Sequence, residues 1–113
     1  MFGLKTETIE AIREVLAKYP EVEKAILYGS RAIGNYRPGS DIDLTLIGEK
    51  LNLSTLQKIE NELDDLLLPY KIDLSLHKQI RNKELLEHIE RVGKVIFYKN
   101  ENMTTSNNRK QIE

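Results

Sequence analysis

Two apolar runs, Ala25-Ile26-Leu27-Tyr28 and Leu44-Thr45-Leu46-Ile47, are joined by a segment that restricts what the chain can build. The segment begins with Gly29-Ser30 and, after ten further residues, ends in Asp41-Ile42-Asp43. Short apolar runs bounded by turn formers read as strands. Side chains alternate along a strand, so Asp41 and Asp43 share one face and Ile42 takes the other. Two carboxylates on one edge repel each other unless a cation lies between them. Oxygen ligands suit a hard ion, above all Mg²⁺, which takes one or two carboxylates and completes its shell with water and phosphate oxygens. Gly29 lets backbone approach a ligand, and N–H groups at a following helix start favour an anion. Phosphate cradle and metal-binding carboxylates together form the minimum kit for nucleotidyl transfer. The plain alternative is a turn aspartate and an exposed strand aspartate after an ordinary strand-to-helix turn. The two halves at this spacing, with Asp73 further on, weigh against it.

Taken in order, the chain begins with a helix over residues 6–19. Ile9, Ile12, Val15, Leu16 and Tyr19 recur at helical spacing, with Thr6 or Thr8 as N-cap and Pro20 as the stop. A first strand covers 22–28, one or two helical turns cover 30–33, and Gly34 ends them. Residues 35–40 form a loop around Pro38-Gly39, with Tyr36 and Arg37 exposed. The second strand is 41–47. Ser54-Thr55-Leu56-Gln57 has the form of a capping box, followed by the apolar stripe Leu56, Ile59, Leu63, Leu66 and Leu67. Residues 70–76 alternate, with Ile72, Leu74 and Leu76 on one face and Lys71, Asp73 and Ser75 on the other, so the third strand carries a carboxylate. A last helix spans 82–92, with Leu85, Leu86, Ile89 and Val92 inward and Gly93 at C′. Residues 94–98 close the fold as an edge strand. The order α-β-α-β-α-β-α-β predicts an α/β (α+β) domain, a mixed sheet of about four strands flanked by helices. The domain is expected over 1–98, followed by a polar, disordered tail over 99–113.

At 113 residues there is room for one modest core. The formal net charge of −1 supplies no general pull toward nucleic acid or membrane, so direct polynucleotide binding is not expected. Without cysteine there is neither a disulfide framework nor a thiolate metal site. No apolar stretch is long enough to span a membrane, and residues 1–5 lack the apolar core of a signal peptide. The cytoplasm is the expected compartment. His77 reads as a surface histidine and His88, beside Glu87, as a solvated one. Lys78, Arg81 and Lys83 read as a solvated basic face.

Gly29-Ser30, ten residues, then Asp41-Ile42-Asp43 resembles the signature of the DNA polymerase β-like nucleotidyltransferase superfamily. The short length and the wording Gly-Ser-Arg-Ala…Tyr-Arg-Pro-Gly-Ser-Asp-Ile-Asp-Leu are similar to its minimal nucleotidyltransferase (MNT) branch, commonly the antitoxins of HEPN/MNT toxin–antitoxin pairs. The resemblance covers residues 6–98, most specifically 28–44, with an echo at 70–76. It implies the nucleotidyltransferase fold. It implies Asp41, Asp43 and Asp73 as catalytic metal ligands for two Mg²⁺ ions, the third carboxylate also activating the attacking hydroxyl. Gly29 and Ser30 match the phosphate-binding turn. Arg31 and Arg37 are candidates for neutralising a triphosphate, or else solvated arginines. Ile33 departs from the basic residue often found there in relatives.

The function implied is transfer of AMP from ATP to a hydroxyl, a tyrosine on a HEPN ribonuclease toxin, forming a hetero-oligomer with it. A binding-only antitoxin or inactive subunit is the rival from another class. Transfer to a small molecule such as an aminoglycoside ranks below both, because so short a chain has no second domain to form an acceptor pocket.

Overall fold

The computed structural model describes residues 1–99. Helix α1, Thr6–Ala17, buries Ile9, Ile12, Val15 and Leu16, the stripe its spacing predicts. Its N-cap is Lys5, without a side-chain cap bond, so neither threonine caps it. The extended Lys5 makes Thr6 the first helical residue, and Thr8 turns toward the core. Strand β1, Lys24–Tyr28, leads through Gly29 into the short helix α2, Ser30–Ile33, which ends at the left-handed Gly34. After the loop comes β2, Ile42–Ile47, so Asp41 stands one residue outside the strand expected to contain it.

Helix α3, Leu53–Asp65, begins earlier than its expected capping box. Asn52 is the cap: its Oδ1 accepts the Thr55 N–H at 2.9 Å, leaving Ser54 inside the first turn. Leu67, expected in the apolar stripe, lies beyond the helix at φ 56° and is 87% exposed. Strand β3, Ile72–Leu76, is followed by a 3₁₀ turn, His77–Gln79. Helix α4, Lys83–Val92, is capped by Asn82, whose Oδ1 accepts the Leu85 N–H at 3.0 Å. Gly93 then turns the chain into β4, Lys94–Tyr98, with φ −60° rather than the left-handed value expected of a C′ glycine. Glycine is required there for space: a Cβ would strike the Ile89 carbonyl and the Ile26 side chain.

The four strands form one mixed sheet in the order β3-β2-β1-β4. β2 runs antiparallel to β1 and parallel to β3, and β1 runs antiparallel to β4. The register places Leu27, Leu44 and Leu74 in one rung and Tyr28, Asp43 and Asp73 in the next. The leucine rung belongs to the main core, shared with Ile12 and Leu16 of α1 and with Ile59 and Leu63 of α3. The acidic rung therefore faces the other side, where α4 packs on β1. β4 is an edge strand, as expected. Lys99 continues its tether, donating from its backbone N–H to Glu23 O and from Nζ to Pro20 O. The rest of the expected tail lies outside the described residues. Among the described residues no helix is long and apolar enough to cross a membrane.

Candidate active site

Asp43 lies at the start of β2, between Tyr28 of β1 and Asp73 of β3. Register alone makes the two carboxylates neighbours on one face, because directly paired residues of adjacent strands point the same way. Asp41 lies two residues upstream, exposed at the end of the loop. Asp43 is half-buried, and that burial, with the negative charges of Asp73 and Asp41, raises its carboxyl above the usual range. His88 opposes the shift. Burial likewise raises the Tyr28 hydroxyl, against the Ser75 hydroxyl beside it, with the charges of Asp43 and Asp73 adding to the rise. Two rungs along and on the same face, Ser75 Oγ donates to Thr45 Oγ1 at 3.0 Å, fixing the floor behind the aspartates.

The turn at Gly29 closes against this row. Its φ of 78° disfavours any residue with a Cβ, and such a Cβ would run into the Asp43 carboxylate. Gly29 is thus required twice, by backbone conformation and by close approach. Its carbonyl accepts the N–H groups of Ala32 and Ile33, which sets the start of α2 at Ser30. The turn and the acid row, ten residues apart in sequence, are in contact.

Arg31 is held away from the role expected of it. The side chain is 2% exposed, with Nε and Nη2 donating to Ser40 O and Nη1 to Phe2 O. The rings of Tyr36 and Tyr70 lie 5.1 and 4.9 Å from the guanidinium carbon. Edge and faces are therefore engaged within the protein, which leaves no guanidinium surface for a triphosphate. Arg31 instead anchors the residue before Asp41 to α2 and to the N-terminal segment. Tyr36 is exposed on the loop, as expected, while its ring also packs over Arg31 and beside Gly3. The Arg37 side chain is exposed, and its backbone N–H donates to Ser40 Oγ at 2.8 Å.

His88 is the residue that the sequence reading misplaced. Gly29 N–H donates to His88 Nε2 at 3.0 Å, and the imidazole meets the Tyr28 ring edge-on at a centroid distance of 6.1 Å. The signal was present in the helical phase. Position 88 falls three residues after Leu85 and four before Val92, on the inward stripe rather than the solvent face.

Among the described residues, no group of three or more acidic or histidine side chains is gathered closely enough to hold a metal ion. The donor set still fits Mg²⁺, which needs only one or two carboxylates and takes its remaining oxygens from water and phosphate. The mutual repulsion felt at Asp43 is what a divalent cation relieves.

A family model described as "Polymerase beta, Nucleotidyltransferase" matches residues 10–102, and the chain belongs to that family. Solved structures share its fold at low identity. One is a toxin–antitoxin complex with AMP-PNP, at TM-score 0.66 and 20% identity, over 83% of this chain and 76% of that one. Another is a tri-AMPylated HEPN toxin with its MNT antitoxin from Shewanella oneidensis, at TM-score 0.63 and 17% identity, over 85% and 74%. A third is the toxin–antitoxin MntA–HepT, at TM-score 0.62 and 18% identity, over 84% and 74%. No curated protein matches the sequence.

Proposed function

We propose that this chain transfers AMP from ATP to a tyrosine hydroxyl of a HEPN-type toxin and so acts as its antitoxin. The observation that carries the reading is the contact between the Gly29-Ser30 turn and the acidic rung Asp43–Asp73, with Asp41 beside it. Family membership supports the chemistry. The AMP-PNP complex and the AMPylated toxin among the structural relatives support the donor and the acceptor.

In this reading Gly29 and Ser30 receive the triphosphate. Asp41, Asp43 and Asp73 would hold Mg²⁺, which when bound supplies charge neutralisation on the phosphate oxygens and lowers the pKa of the acceptor hydroxyl. Asp73, exposed on the edge strand, lies where an acceptor can approach and helps draw off its proton. The tyrosine oxygen forms a bond to the α-phosphorus while the bond from that phosphorus to the α,β-bridging oxygen breaks. Pyrophosphate leaves, and AMP remains as a phosphodiester on the phenol. A phenol suits the role because its pKa of ~10 lies well below that of an aliphatic alcohol. The added charge and bulk would repel RNA phosphate from the toxin's surface.

Intact mass of a HEPN-type partner after incubation with ATP and Mg²⁺ tests the proposal. AMP-sized increases with the native chain, and none with the triple variant D41N/D43N/D73N, are expected. A bound but unmodified partner, neutralised equally by the triple variant, would replace the proposal with a binding-only antitoxin.

A further inference from the structure

Gly29 carries its phosphate turn at a left-handed φ, and the turn's own N–H must find an acceptor where the chain leaves the sheet. That acceptor comes from 59 residues away: His88 Nε2 on α4, at 3.0 Å. Accepting at Nε2 requires that nitrogen to be unprotonated, which in the neutral ring places the proton on Nδ1. The imidazole is itself held. Ile89, its neighbour, is buried, and Gly93 brings the end of α4 against Ile26 of β1. The ring also meets Tyr28, the residue before the turn and the partner of Asp43 across the sheet.

We infer that His88 is a positioning residue for AMP transfer, holding the Gly29-Ser30 turn through the Gly29 N–H and bracing it through the Tyr28 ring. The inference rests on the proposed nucleotidyl transfer and deepens it by adding a residue outside the sequence signature. Gly29 touches the Asp43 carboxylate, so a displaced turn disturbs the phosphate side and the carboxylate side together. Misplacement of reacting groups by about 1 Å reduces rates on the order of 100-fold.

The test compares His88→Leu, which keeps an apolar body against Tyr28 but removes the acceptor, with His88→Gln, whose Oε1 restores one. For the complex with a HEPN-type partner, H88L is expected to lower kcat/KM for ATP on the order of 100-fold with its melting temperature held. H88Q is expected to recover most of the loss. In NMR spectra of the native chain, the ring ¹⁵N shifts should show the Nδ1–H tautomer, and the Gly29 amide proton should move upfield in H88L and return in H88Q. Native rates in folded H88L, or H88Q as impaired as H88L, would overturn the inference. If H88L fails to fold, His88→Met takes its place with the same expectations. If the native protein transfers no AMP, the proposed function falls and Mg²⁺·AMP-PNP affinity decides the role of His88. Loss in H88L with recovery in H88Q supports it, and equal affinities overturn it.

Discussion

Two neighbouring rungs of the same sheet have opposite duties. Leu27, Leu44 and Leu74 are 1%, 0% and 7% exposed and lie beneath α1 and α3. Tyr28, Asp43 and Asp73, each one residue away from its leucine, form the floor of the candidate site, where Asp73 is exposed. The backbone hydrogen bonds are common to both. A rigid apolar rung therefore fixes the spacing of the acidic one, whose two carboxylates lie outside the core. Stability and chemistry are separated by the period of two and should be separable by mutation.

The largest expected effect is on the acidic side. Asp43→Asn should reduce AMP transfer on the order of 10³-fold, since it removes a carboxylate that would hold the cation. Its chemical denaturation midpoint should be unchanged or slightly higher, because the burial of a charged carboxylate and its repulsion by Asp73 and Asp41 are both relieved. A clear loss of stability would break the separation of the two rungs. On the apolar side, Leu44→Ala leaves a cavity in a fully buried position and should cost about 2–5 kcal/mol in urea unfolding. Transfer per folded molecule should remain near the native value. A destabilisation of well under 1 kcal/mol would show that the core is not centred on this rung.

Gly29→Ala is where the two sides meet. It forces a Cβ into a left-handed conformation and toward the Asp43 carboxylate, so about 1–3 kcal/mol of stability and much of the transfer rate should be lost together. Loss of only one would show that the turn and the carboxylate move independently. The smallest effect sharpens the comparison from outside both rungs. Asn52→Ala removes the α3 cap bond and should cost about 1 kcal/mol with no change in transfer per folded molecule. Transfer that falls with it would link α3 to the site.

The strands and their order along the chain were legible because alternation survives in short segments, although Asp41 falls one residue outside β2. Which strands pair was not legible, and that pairing sets Asp43 beside Asp73. Helix starts were misread where two caps competed: Ser54 offered the stronger sequence pattern, but Asn52 was the residue at the extended position. Arg31 looked like a phosphate ligand because sequence shows a charge and not its surroundings. Two tyrosines and two carbonyls, from three separate segments of the chain, enclose it. His88 was misjudged for the opposite reason, a polar type outweighing its inward helical phase.

The central claim is that Asp43 serves the ligand and not the fold. Thermal melting of native protein and Asp43→Asn, each with and without Mg²⁺·AMP-PNP, tests it most directly. At about 100 times the dissociation constant the ligand should stabilise the native chain by about 2.7 kcal/mol, on the order of 10 °C in melting temperature. The variant should melt at or above the native temperature without ligand and show little response to it. An equal ligand-induced shift in the variant, or a variant that melts well below the native chain, would contradict the account.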